Sequence, residues 1–179
     1  LLALILNHLG IKARFIDPKE IGFLVSSDPN NATVLPETYE NLARLDYGTE
    51  KLIFPGFFGI TREGEIATFS RGGSDITGAI VARGLSAELY ENFTDVDAIY
   101  AANPKIVKDP YAITIMTYRE MRELSYAGFS VFHDEAIVPA IEGRVKINVK
   151  NTNHPERPGT MIIPYQEFTP QTRVTGITN

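Results

Sequence analysis

Cysteine is absent from these 179 residues. That excludes a disulfide framework and any thiolate metal site, and it fits a cytoplasmic protein. A basic surplus is absent too: 17 Lys and Arg stand against 22 Asp and Glu, for a formal charge of −5. A general nucleic-acid binder needs a basic stripe, so no nucleic-acid partner is expected. A local group of cations could still hold a small anion. No apolar run approaches the ~20 residues of a membrane span, so no membrane partner is expected. Leu1 to Leu9 is apolar but lacks the basic leader and cleavage site of a signal peptide. Internal repeats and low-complexity segments are missing as well.

What remains is the composition of an ordinary globular chain, 44% hydrophobic and 22% charged, able to bury a sizeable core. Leu1 to Leu9 is apolar nearly all round, which predicts a buried helix stopped by Gly10. Lys12 to Ile16 alternates as a strand, and Asp28 to Asn31 reads as a turn. A helix is predicted from Pro36, whose missing N–H does no harm in a first turn. Lys51 to Pro55 reads as a buried strand, and Gly56 to Thr61 as a glycine-flanked loop leading to a Glu63-Gly64 hairpin turn. Ala87 to Phe93 is a predicted strand ending in Thr94-Asp95-Val96-Asp97. Thr117 to Glu120 is a capping box opening a helix through Tyr126, stopped by Gly128. Phe129 to Phe132, Arg144 to Lys150 and Met161 to Ile163 read as strands, and Asp134 as a helix cap. Tyr165 to Thr172 is linker-like, and Arg173 to Ile177 resembles the first strand of a further module. Strands alternating with helices predict a layered α/β sheet.

The organising stretch is Phe69-Ser70-Arg71-Gly72-Gly73-Ser74-Asp75, followed by the small-residue run Ile76 to Ala82. Two glycines before a helix let the backbone approach a ligand, and the helix start offers unpaired N–H donors to an anion. Arg71 adds a fixed positive fork suited to a carboxylate or phosphate. The same residues also read as an ordinary turn, with Ser74 or Asp75 capping the helix and nothing bound. Similarly, Thr94 to Asp97 sits where open α/β sheets bind ligands, or serves as a turn holding its own backbone.

Taken in order, Gly56-Phe57-Phe58-Gly59-Ile60-Thr61, Arg71 to Asp75, Thr94 to Asp97, Ile99-Tyr100, His133, Asn151-Thr152-Asn153, Pro155 and Gly159-Thr160 resemble the aspartokinases of the amino-acid kinase fold. The resemblance runs from about Leu1 to Ile163 and favours the anion seat at Arg71 to Asp75. It implies a three-layer α/β/α sandwich of the carbamate kinase-like type. It also implies transfer of the γ-phosphoryl of ATP, carried with Mg2+, to the side-chain carboxylate of L-aspartate. Arg71 matches the arginine that holds aspartate. Gly72, Gly73 and Ser74 match the loop beside the transferring phosphate, and Asp75 the acid that orients a catalytic lysine. Gly56 to Thr61 matches a loop bordering the acceptor. Thr94, Asp95 and Tyr100 match nucleotide positions, as do Lys105 and Ser130, where many members carry arginine and lysine. No protein metal ligand is implied, and a carboxylate acceptor needs no general base.

The family's Lys-Phe-Gly-Gly segment is expected before Leu1 and its ACT modules after the tail. On that expectation 1–164 is the C-terminal portion of a catalytic domain truncated at its N-terminus, 165–179 leads toward an ACT domain, and the piece alone is inactive. The full-length protein is expected to be a homo-oligomer. Other readings are a glutamate or acetylglutamate kinase of the same fold, or a non-catalytic regulatory module.

Overall fold

Two units, Leu1–Leu85 and Ser86–Asn179, divide the chain in the computed structural model, which describes residues 1–103, 106–126, 134–164 and 175–177.

In the first unit, helix α1 (Leu2–His8) ends as predicted at Gly10, whose φ of +79° supplies the left-handed residue of a helix stop. Its expected burial does not occur. Of Leu1 to Leu9 only Ala3 is buried, and Leu1 is 91% exposed. The all-round apolar pattern shows that a helix can be buried, but packing neighbours decide whether it is. Here the tie to strand β1 (Ala13–Phe15) is polar: Asn7 Nδ2 donates to the Ala13 carbonyl at 2.6 Å, and Asn7 Oδ1 accepts from the Ala13 N–H at 3.0 Å. Helix α2 (Pro36–Ala43) has Pro36 at its first position. Strand β2 (Lys51–Ile53) runs parallel to β1 and is only half-buried, against the expectation of a buried strand, because the sheet that it forms has just these two strands.

A second difference lies at β3 (Phe58–Ile60), a strand inside the predicted loop. It pairs antiparallel with β4 (Ile66–Thr68) around Gly64, at φ +89°. Gly59 conceals this strand from pattern reading, and the reason for a glycine is packing: a Cβ there would lie 2.5 Å from Val25 Cγ1. Helix α3 (Gly73–Gly84) packs on α2 so closely that a Cβ on Gly84 would sit 2.4 Å from Leu42 Cδ1. Buried Thr38 fastens α2 to the chain before it, donating to the Leu24 carbonyl and accepting from the Leu24 N–H, both at 2.7 Å. Phe23 and Phe69 meet edge to face in the core, with centroids 6.4 Å apart.

The second unit is built on a four-stranded sheet in the order β5 (Leu89–Thr94), β9 (Lys146–Asn151), β10 (Thr160–Ile163) and β8 (Ile115–Thr117). Its first and last pairs are parallel and the middle pair antiparallel. Val145, Ile147 and Val149 are buried together, as their alternation predicts. A small antiparallel pair, β6 (Ile99–Tyr100) with β7 (Ala112–Ile113), lies outside the strands that the sequence pattern predicts, as does β8. Helix α4 (Tyr118–Tyr126) opens on the predicted capping box: Glu120 N–H donates to Thr117 Oγ1 at 3.2 Å, and Thr117 N–H donates to Glu120 Oε2 at 2.8 Å. Met121 and Leu124 are its buried face. Helix α5 (Asp134–Glu142) follows. The expectations at Lys105, Gly128, Phe129 to Phe132 with Ser130, His133 and the linker from Tyr165 lie outside the described residues.

Candidate functional site

The first unit assembles most of the expected acceptor side. Strand β4 delivers the chain through Phe69 to Gly72, the N-cap of α3, at φ +85°. The N-cap is a glycine with no side chain to offer, and Ser74 and Asp75 lie inside the first turn, not at the cap position where the sequence reading puts one of them. The Asp75 and Ile76 N–H groups donate back to the Gly72 carbonyl at 2.9 and 3.0 Å. The donors of Gly73 and Ser74 are left at the positive end of the helix.

Against this entrance lies the loop before β3. A Cβ on Gly56 would stand 3.4 Å from Ser74 Cα, and one on Gly73 would stand 2.6 Å from the Phe57 ring. Phe57 itself has φ +83°, a conformation that a bulky side chain adopts only when its surroundings enforce it. The enforcement is visible. The Phe57 N–H donates to Thr77 Oγ1 at 3.0 Å, that hydroxyl donates to the Gly73 carbonyl at 2.8 Å, and the Phe57 carbonyl accepts from the Phe69 N–H at 2.9 Å. Gly56, Gly72, Gly73 and Ser74 are therefore brought together. Arg71, beside them, is exposed and has no ion-pair or hydrogen-bond partner among the described residues. Asp75 is half-buried in the first turn. Thr61 stands at the other end of β3, buried in the hairpin turn, where its hydroxyl accepts from the Glu65 N–H at 3.3 Å. The sequence alone places Phe57 only within the Gly56 to Thr61 loop and gives no role to Thr77. A threonine four residues into a glycine-started helix was the available signal.

In the second unit, Thr94 ends β5 at the same level at which Asn151 ends the parallel neighbour β9. Parallel strand ends of this kind form the ligand side of α/β sheets. Asp95 is exposed next to half-buried Thr94, whose hydroxyl lies 3.3 Å from Asp95 Oδ1. Tyr100 is half-buried on β6. This strand is pinned by buried Thr160, whose Oγ1 accepts from the Ile99 N–H at 2.8 Å and donates to the Ile113 carbonyl at 2.6 Å. Among the described residues no cluster of three or more His, Asp or Glu could hold a metal ion, and no helix is long and apolar enough to cross a membrane.

The model of the amino acid kinase family matches residues 1–151. Aspartokinase 3 of Bacillus subtilis is 53% identical over 169 residues, covering 94% of this chain and 37% of its own length. A crystal structure of Clostridium acetobutylicum aspartate kinase superposes with a TM-score of 0.81 at 38% identity, over 98% of this chain and 39% of that one. Aspartokinase III of E. coli, solved in complex with aspartate and ADP, superposes with a TM-score of 0.79 at 26% identity, over 89% of this chain and 36% of that one. The chain thus spans well under half the length of the relatives it matches.

Proposed function

The chain belongs to the amino acid kinase family and has its α/β fold, and from that premise we propose that it forms part of the catalytic domain of an aspartate kinase. The reaction would move the γ-phosphoryl of ATP to the side-chain carboxylate of L-aspartate, giving 4-phospho-L-aspartate. The observation that carries this reading is an exposed guanidinium, Arg71, without an ion-pair or hydrogen-bond partner among the described residues, beside a helix that starts at glycine. Both reactants are anions, so catalysis depends on positioning them and on positive charge held against the transferring group. Arg71 would hold a carboxylate of aspartate. Gly72, Gly73 and Ser74 would offer main-chain donors near the transferring phosphate, with Gly56 to Thr61 bordering the acceptor and Asp75 orienting a lysine. Thr94, Asp95 and Tyr100, with Lys105 and Ser130, would face the nucleotide. Mg2+ would arrive on the ATP phosphates, since this ion is usually held by phosphates and water with few protein carboxylates. The whole enzyme would be cytoplasmic and homo-oligomeric, acting in lysine, threonine and methionine biosynthesis.

The test is a coupled assay on the full-length gene product with aspartate, glutamate and acetylglutamate as acceptors. Aspartate should be the substrate. Arg71→Ala should raise the KM for aspartate at least about tenfold while the KM for ATP stays within about threefold, because a charge-assisted carboxylate contact is lost and nothing else. Equal loss of both ligands would remove Arg71 from the acceptor site, and preference for another acceptor would overturn the aspartate assignment.

A further inference from the structure

Beyond the residues assigned above, we propose that Asn151 is a positioning residue for the nucleotide, holding the Thr94-Asp95 loop in shape together with the Asp97–Arg157 pair; this rests on the reading of Thr94 and Asp95 as nucleotide contacts. Asn151 is the last residue of β9 and only 6% exposed. Its Nδ2 donates to Asp97 Oδ1 at 2.7 Å and reaches the Asp95 carbonyl at 3.5 Å. Its Oδ1 accepts from the Asn153 N–H at 2.8 Å, so both ends of the amide are engaged. The next residue completes the clasp, because Thr152 donates to the Thr94 carbonyl twice, from N–H at 2.9 Å and from Oγ1 at 3.1 Å. Asp97 then uses its second oxygen to accept from Arg157.

Apart from the local Asn153–Asn151 bond, these contacts join the end of β5 and its following loop to the end of β9 and its following loop, more than fifty residues later in the chain. Both oxygens of Asp97 are engaged by them. The Asp97–Arg157 pair is solvent-exposed enough to add little stability, so its effect is on geometry. The arginine's own loop is stiffened, with Pro155 and Pro158 on either side of it and the Arg157 N–H donating to the His154 carbonyl at 3.1 Å. Asparagine suits the central place because a buried amide can donate to a carboxylate and accept from a backbone N–H at once, which neither an ionised aspartate nor leucine can do. The sequence displayed Thr94 to Asp97 and Asn151 to Asn153 as separate motifs. The structure makes them one unit.

The experiment uses the full-length protein with ATP and aspartate. Asn151→Asp keeps the shape but sets a carboxylate oxygen against Asp97 and the Asp95 carbonyl. It should raise the KM for ATP about tenfold, with kcat and the KM for aspartate within about twofold. Arg157→Ala, on an exposed side chain that the core does not need, should give a smaller rise in the same constant, and Arg157→Lys should recover part of it. Amide exchange at Thr152 and Asn153 should quicken in Asn151→Asp and in Arg157→Ala. Asp95→Asn separates the two levels of the argument. If it leaves the KM for ATP unchanged, the loop is not a nucleotide contact and both readings fall. If it raises that constant while Asn151→Asp and Arg157→Ala do not, the positioning role alone is overturned. A parallel rise in both Michaelis constants, or a lower melting temperature with unchanged kinetics, also overturns it.

Discussion

The ring of Phe57 occupies the space that a side chain on residue 73 would need: a Cβ built on Gly73 lies 2.6 Å from Phe57 Cδ2 and 3.1 Å from Phe69 Cβ. The glycine that starts this helix is therefore a packing requirement as much as a device for approaching a ligand. The two demands meet in one residue.

Gly73→Ala should push the Phe57 ring away and loosen the loop that carries Gly56. Overpacking of this kind destabilises by about 1–3 kcal/mol. Denaturant titration should show that loss, and the KM for aspartate in the full-length enzyme should rise with it. A variant of unchanged stability would mean that the ring swings aside freely.

Thr77→Val removes the hydroxyl that links the Phe57 N–H to the Gly73 carbonyl at 3.0 and 2.8 Å. The replacement is nearly isosteric, so packing is kept while the Phe57 N–H loses its partner and the Gly73 carbonyl loses one of its donors. The expected destabilisation is about 1–3 kcal/mol. Phe57 should also relax from its φ of +83°, which faster amide exchange at Phe57 would register.

Glu120 should contribute to the acid limb of stability. Burial raises its pKa most, but hydrogen bonds from Thr175 Oγ1, the Thr117 N–H and Thr117 Oγ1 together outweigh that and hold it below its ordinary value of 4.5. The unfolded chain therefore takes up this proton first as pH falls. The stabilisation is whole above the ordinary value and disappears as pH drops through the lowered one. Glu120→Gln should be less stable than the parent at about pH 7, and the two stability curves should converge as pH falls through the lowered value. Curves that stay parallel would show that the carboxylate's charge is not used.

Gly159→Ala combines two faults, a φ of +70° and a Cβ placed 2.0 Å from the Val149 carbonyl oxygen. No flexible side chain can yield there, because the obstacle is the backbone of the paired strand β9. A loss of about 2–4 kcal/mol is expected, with exchange accelerated along the β9–β10 pairing. A silent substitution would mean that the register between Thr160 and Val149 is not fixed as described.

What the sequence determined by itself was local. Gly10 ends α1, Pro36 begins α2, Thr117 and Glu120 cap α4, and Val145, Ile147 and Val149 share a face. Each is settled by backbone conformation, capping chemistry or periodicity within a few residues of chain. The residues of the expected site were also legible, as ordered motifs, but as separate pieces. Tertiary structure alone decided that Leu2 and Leu4 of α1 stay exposed, that Phe58 to Ile60 forms a strand, that Phe57 is held at positive φ by Thr77, and that Asn151 clasps the loop after Thr94. Those outcomes depend on which surfaces and polar groups meet between separate segments of the chain. A one-dimensional pattern carries the capacity for such meetings, and only the folded path selects the partner.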